Sequence, residues 1–189
     1  RVKYDEGILL DLKMLVDQKR IPPIDRWAIQ NDLFSLCVSG DEQVRNYLDF
    51  SDAYFDEDSY LASVNVAHNL ASLYFRAFDE KFIEEIRSYA INYFRKILSN
   101  LGWEPQKSDK HTDALLRTFT IAVLGKMNDD SVTDEAIRKY QKFLKSPSSL
   151  SPDLIETICS IAAWNGNSKT FAELKKLYTN AKTMEEKLR

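Results

Sequence analysis

Ile21-Pro-Pro-Ile-Asp-Arg-Trp-Ala-Ile-Gln-Asn-Asp-Leu-Phe-Ser-Leu-Cys-Val-Ser-Gly40 is the stretch around which the fold of this chain is organised. Its two prolines fit the start of a helix, and its terminal glycine fits the end of one. The residues between them carry the apolar positions of a core helix: Trp27, Ala28, Ile29, Leu33, Phe34, Leu36 and Cys37. The stretch therefore predicts one buried helix with both of its ends marked.

Apolar residues recur at helical spacing through the rest of the chain. Only 5 Gly and 5 Pro occur in 189 residues, which favours long regular elements over many short strands. Further helices are predicted over residues 8–16, 41–50, 56–75, 82–98, 110–127, 133–144, 154–164, 171–178 and 184–189. This pattern indicates an all-α fold of antiparallel helix pairs stacked as an irregular HEAT-like solenoid, with a compact bundle as the alternative.

Several local signals refine these helices. Asp79 and Thr133 are predicted N-caps, and Ser151 followed by Pro152 marks a further helix entry. Phe82 and Leu115 are expected to face the core because they lie at apolar positions of their helical repeats. The loop from Glu104 to Asp109 is charged and is expected to be exposed to solvent.

Charge and composition exclude some classes of function. The formal net charge is −3, and basic residues are scattered among acids, so we expect no nucleic-acid partner. We find neither a run of about 18 apolar residues nor a signal pattern, so we expect no membrane contact and a cytoplasmic location. Cys37 and Cys159 lie in apolar helical patterns and are predicted to be free thiols.

The first residues suggest a larger parent protein. The chain begins Arg1-Val2-Lys3-Tyr4 without an initiating Met and reads as the end of a strand. We expect residues 1–4 to end a preceding β-domain and residues 5–189 to be the N-terminal part of a C-terminal helical domain.

Catalytic and metal-binding patterns are weak in this sequence. Neither His68 nor His111 begins the H-E-x-x-H pattern of hydrolytic zinc sites. The acidic residues Asp49, Asp52, Asp56, Glu57 and Asp58 lack the glycine and closing glutamate of a calcium loop, so we interpret them as a solvated helix start. The hydroxyls of residues 146–149 have no identifiable base beside them. The residues alone predict no catalytic residue and no metal ligand in this chain.

A family resemblance goes further than these patterns. The series Arg26-x-x-Ile29-x-Asn31-Asp32-x-Phe34-x-Leu36-x-x-x-Gly40 resembles the start of the C-terminal helical domain of the aminopeptidase N family of zinc metallopeptidases. Further similarities follow in order along the chain: Arg1-Val2-x-Tyr4-Asp5, Glu57-x-x-Tyr60, Leu101-Gly102-Trp103, Leu115-Leu116-Arg117, Ser151-Pro152-Asp153-Leu154 and Glu186-Lys187. At Ala62-Ser63 the sequence departs from the family pattern, in which Pro-Trp is common at these two positions. Among members, the chain is most similar to the archaeal tricorn-protease-interacting aminopeptidases.

The resemblance implies a role without chemistry in this part of the protein. In the family, zinc and the catalytic residues belong to an upstream domain, and the helical domain forms a wall that encloses the active site and limits access of substrates. The implied partners are the catalytic domain of the same parent chain, peptide substrates and a larger protease. The alternative is an independent helical-repeat scaffold that binds another protein.

Arg26 is the polar residue of greatest interest. An arginine at the start of a buried helix needs an acidic partner, and Asp32 and Glu57 are the candidates. These three residues either form an ion pair within the domain or face the substrate. We expect the ion pair, because a buried guanidinium without a partner is costly in any state of the protein.

Overall fold

A computed structural model describes residues 1–77, 80–184 and 187. Over these residues the chain forms nine α-helices, two short 3-10 helices and no strand. The all-α prediction is therefore confirmed at the level of fold class. The chain divides into two compact units, Arg1–Lys96 and Ile97–Arg189. Arg1–Tyr4 have no regular secondary structure, and their assignment to a preceding β-domain stays a prediction.

The first unit is built around the helix predicted at residues 21–40. Its elements are α1 (Glu6–Asp17), α2 (Pro23–Ser39), α3 (Val44–Ser51), a 3-10 helix (Asp52–Tyr54), α4 (Tyr60–Arg76) and the larger part of α5 (Ile83–Leu101). α2 packs against both α3 and α4, while α1 packs mainly against the 3-10 helix. The central position of α2 explains why its sequence carries the clearest core pattern.

Both ends of α2 agree with the sequence signals. Pro23 occupies the first turn, and Gly40 ends the helix with a left-handed φ of 80°, a conformation that favours glycine. Ile29, Leu33 and Leu36 are buried as predicted. Trp27, Phe34 and Cys37 are only partly buried, so the buried face of α2 is narrower than its apolar composition suggests.

The second unit packs its helices around α8. It contains α6 (His111–Lys126), α7 (Asp130–Lys145), a 3-10 helix (Pro147–Ser149), α8 (Pro152–Trp164) and α9 (Ser168–Asn180). α8 contacts α6, α7 and α9. At the contact between α6 and α8, a Cβ atom on Gly125 would lie 2.5 Å from the Ile161 Cγ1 atom. Glycine at this position therefore allows the two helices to approach closely.

Some local predictions need correction. Thr133 is not the cap of α7, because the helix begins at Asp130 and the Asp129 carboxylate accepts a hydrogen bond from the Val132 amide at 3.0 Å. Phe82 and Leu115 were expected to face the core, but both are exposed. Apolar spacing identifies a helical face without showing what covers it, which explains both errors.

Two sequence predictions fall wholly or mostly on residues that the structure does not describe. The predicted cap Asp79 and most of the helix predicted at residues 184–189 lie outside the described residues.

Among the described residues, no helix combines the length and apolar character that are needed to cross a membrane. Both cysteines are free, with Cys159 buried and Cys37 partly buried. The solenoid arrangement of the helices stays a prediction.

Candidate functional site

The Arg26 side chain is buried in the first turn of α2. Its guanidinium meets Glu57, which lies in the loop that leads into α4. Arg26 Nε donates to Glu57 Oε2 at 2.8 Å, and Arg26 Nη2 donates to Glu57 Oε1 at 2.6 Å. The side chains are only 4% and 2% exposed, respectively. Arg26 and Glu57 therefore form a bidentate ion pair that is almost completely shielded from solvent. Arginine suits this arrangement better than lysine because its planar guanidinium can donate two parallel hydrogen bonds to one carboxylate.

The remaining donors of the guanidinium are also engaged. Arg26 Nη1 donates to the Ile21 carbonyl at 2.8 Å, and Nη2 also donates to Asp58 Oδ1 at 2.9 Å. The hydrogen bond and charge of Glu57 hold the pKa of Arg26 above its ordinary value in spite of burial. Arg26 therefore joins the α1–α2 connection to the loop before α4, and its Nε, Nη1 and Nη2 atoms are all occupied by protein acceptors.

Asp32, the other candidate partner of Arg26, has a different contact. Its Oδ2 atom accepts a hydrogen bond from the Val2 amide at 2.9 Å. Lys3 Nζ donates to the Asp41 carbonyl at 2.5 Å, just beyond the end of α2. These two contacts hold the residues before α1 against α2. The structure thus brings Arg26 and Glu57 together and gives Asp32 a separate role.

The acidic residues near α4 are distributed among basic partners. The pairs are Asp49 with Arg45, Asp52 with Lys13, Asp56 with Lys96, and both Glu57 and Asp58 with Arg26. The interpretation as a solvated helix start is wrong for Glu57, because α4 begins only at Tyr60 and the preceding loop folds this carboxylate onto Arg26. The hydrogen bond and charge of Lys96 lower the pKa of Asp56.

Gln30 is a second buried polar residue on α2, and its role was not predicted from the sequence. Gln30 is fully buried, and its Oε1 atom accepts hydrogen bonds from the Tyr47 hydroxyl at 3.1 Å and from Asn69 Nδ2 at 3.0 Å. Gln30 Nε2 donates to Asn65 Oδ1. The network links α2 with α3 and α4. The signal that could have revealed it is a glutamine four residues after Arg26, on the same helical face.

Arg117 is a second buried arginine that was not selected as a candidate. It is 1% exposed on α6 in the second unit. Its Nε donates to the Gly102 carbonyl at 3.0 Å, and its Nη2 donates to the Leu101 carbonyl at 3.0 Å and to Asp109 Oδ2 at 2.6 Å. Arg117 thus satisfies carbonyls at the end of α5 and orders the following loop, so Asp109 is less exposed than predicted. A guanidinium beside helix C-terminal carbonyls is electrostatically favourable.

These arrangements stabilise the fold and offer little chemistry. Among the described residues, no group of three or more His, Cys, Asp or Glu side chains could hold a metal ion. His68 lies on α4 in the first unit, and His111 begins α6 in the second. The part of the chain that the structure describes thus offers no ligand set for the zinc that the family resemblance implies for the parent protein. We assign no catalytic step to these residues.

Comparison with known families gives the arrangement its context. The family model described as ERAP1-like C-terminal domain matches residues 1–189. The chain belongs to the ERAP1-like C-terminal domain family. The predicted family resemblance is thereby confirmed over the whole chain.

Several relatives of this ERAP1-like C-terminal domain are named as aminopeptidases. It is 28% identical over 195 residues to Aminopeptidase M1-D of Oryza sativa subsp. japonica, and 25% identical over 200 residues to Aminopeptidase M1 of Arabidopsis thaliana. Each of these matches covers 100% of the chain and 22% of the relative. Tricorn protease-interacting factor F2 of Thermoplasma acidophilum is 26% identical over 147 residues, which cover 78% of this chain and 18% of the factor. The ERAP1-like domain thus spans about a fifth of the length of the curated relatives it matches.

Proposed function

We propose that this chain is the non-catalytic helical domain of a zinc-dependent aminopeptidase that removes N-terminal residues from peptides. In this proposal the domain forms part of the wall that encloses the active site and limits access of substrates. The observation that carries the proposal is the family match across residues 1–189. The irregular HEAT-like stacking of helix pairs belongs to the same proposal.

The chemistry of the buried groups supports a structural role for this domain. Arg26 and Arg117 both use their guanidinium groups on acceptors of their own unit. Substrate recognition needs polar groups that can exchange a protein partner or water for the ligand. We therefore propose that Arg26 and Glu57 act as a structural ion pair, and that Asp32 positions the segment before α1.

The remaining expectations depend on the parent protein. The proposed partners are the catalytic domain of the same polypeptide and its peptide substrates, and the proposed location is the cytoplasm. Membership of the ERAP1-like C-terminal domain family favours this role over an independent scaffold. The name of the Thermoplasma relative describes an interaction with tricorn protease, and this name supports a larger protease as a further proposed partner of the parent.

A peptide-length series tests the proposed wall. The parent enzyme and a variant that lacks residues 1–189 are compared on peptides of increasing length and on a short chromogenic substrate. Zinc content and activity on the short substrate control for folding of the truncated enzyme. If the domain limits access, its removal should reduce the discrimination against long peptides. An unchanged length profile in a folded, zinc-loaded truncation would contradict the proposal.

A further inference from the structure

Helix α1 has far more apolar surface than its own unit covers. Seven of the 12 residues in its sequence, EGILLDLKMLVD, are apolar, yet Val16 is its only buried residue. Ile8, Leu10 and Met14 are 47%, 61% and 49% exposed. Large apolar side chains on a helix of a folded domain normally face a core or a partner. The composition of α1 is therefore that of a covered helix, while the unit itself leaves most of it open.

A groove lies beside this helix. It measures about 350 Å³ and runs between α1 and α3, with Leu9, Leu10 and Phe50 among its apolar lining residues. The carboxylates of Glu6 and Asp49 also line it. Lys13, the basic lining residue, directs its ammonium to Asp52 at 3.2 Å. A groove that combines apolar side chains with carboxylates favours a partner surface that combines apolar and basic side chains.

The path of the chain brings any preceding polypeptide close to this groove. Residues 2 and 3 are held against α2 through Asp32 and the Asp41 carbonyl, and α1 begins at Glu6. The family is named for a C-terminal domain, and the matched regions make up only 22% of the plant relatives. In a parent of that kind, a large polypeptide would enter beside α1.

We propose that the α1 face, defined by Leu10 and Met14 together with the adjoining groove, is the surface on which the preceding part of the parent polypeptide docks. This inference rests on the proposed function, because it takes the chain to be a domain of a longer aminopeptidase. The contact joins the enclosing domain to the part that it encloses. It also explains why exposed leucine and methionine occur on a helix that packs mainly on one short 3-10 helix.

Photo-cross-linking in the full-length parent tests the occupant. Leu10 is replaced by p-benzoylphenylalanine, and the peptides joined to it on irradiation are identified by mass spectrometry. The same probe at Leu61, which is 42% exposed on α4 of the same unit, is the matched control. We expect the Leu10 probe to join a segment upstream of Arg1 in the same polypeptide, with basic residues near the contact. A cross-link to a second copy or to a separate protein, or the absence of an upstream cross-link, would overturn the inference.

Thiol labelling provides a second measurement if the bulky probe disturbs folding. In the native parent, Leu10→Cys should react at least about tenfold more slowly than Leu61→Cys, since a covered group reacts only through local opening. Equal or faster labelling of Leu10→Cys would contradict the docking. Aminopeptidase activity is measured separately. An active parent without protection at Leu10 would refute only the docking surface, whereas protection in a parent without aminopeptidase activity would refute only the proposed function.

Discussion

Replacing Arg26 with Ala should strongly destabilise the first unit. The change removes two hydrogen bonds to Glu57 of 2.8 and 2.6 Å and leaves a carboxylate that is 2% exposed without its cationic partner. Breaking a buried pair in this way costs about 3–5 kcal/mol. Because an entire domain is stable by only about 5–15 kcal/mol, this loss is a large fraction of the total.

Guanidinium denaturation of the 189-residue chain measures the effect. Trp27 follows Arg26 on α2 and reports on the first unit once Trp103 and Trp164 are replaced by Phe. The midpoint should fall by roughly 1 M, given the usual denaturant dependence of small domains. The double variant Arg26→Met, Glu57→Leu should recover most of the loss, because it removes both charges and leaves no buried ion unpaired.

The control is an exposed ion pair in the same unit. Arg45 Nε lies 4.0 Å from Asp49 Oδ2, and the Arg45 side chain is 85% exposed. Arg45→Ala should therefore change the free energy of unfolding by less than about 0.5 kcal/mol. The parent carrying Arg26→Ala should also show a larger loss of stability than of peptide affinity. A loss of less than about 1 kcal/mol in the free energy of unfolding, or weaker peptide binding with stability intact, would contradict a structural role for the buried pair.

Three further predictions concern buried groups of the chain. Tyr47→Phe removes a hydroxyl that donates within the α2 amide network and should cost about 1 kcal/mol. Tyr140→Phe should cost less, because the buried Tyr140 hydroxyl makes no hydrogen bond of normal geometry among the described residues and loses only its electrostatic interaction with Glu173. Denaturant titrations compare the two variants. Gly125→Ala should destabilise the second unit, although alanine is the better helix former by about 1 kcal/mol, because the new Cβ atom would collide with the Ile161 side chain. Ile161→Ala removes the atoms that this Cβ would meet. A double-mutant cycle of the two substitutions should therefore show favourable coupling. Burial raises the pKa of Cys159 to about 11, so alkylation at pH 8 should be roughly a hundredfold slower in the folded chain than in denaturant; equal rates would contradict the burial of this thiol.

The sequence predicts the helical framework of this chain because its boundary signals are local. Pro23 and Gly40 mark the ends of α2, and Ile29, Leu33 and Leu36 identify the face that is buried. Such features depend on backbone geometry and on the helical period alone. The same local signals place the break between α6 and α7, where Asn128 adopts a left-handed φ of 55°.

The burial of the polar residues could be recognised only from the structure. Gln30 and Arg117 lie on the buried faces of their helices, but a search for apolar periodicity passes over them. Their burial depends on partners distant in sequence, such as Asn69 for Gln30. The choice between Asp129 and Thr133 as a cap also could not be made locally, since both residue types cap helices well. The exposure of Leu10 depends on what covers α1, which no pattern within the helix reveals.

Measuring zinc and activity in both this chain and its parent is the most direct test of the proposed non-catalytic role. Residues 1–189 and the full-length parent are purified side by side, and zinc content and release of N-terminal residues from peptides are measured for both. We expect zinc and chelator-sensitive activity in the parent, and neither in residues 1–189. Zinc and aminopeptidase activity that stay with residues 1–189 after repeated purification would contradict this role.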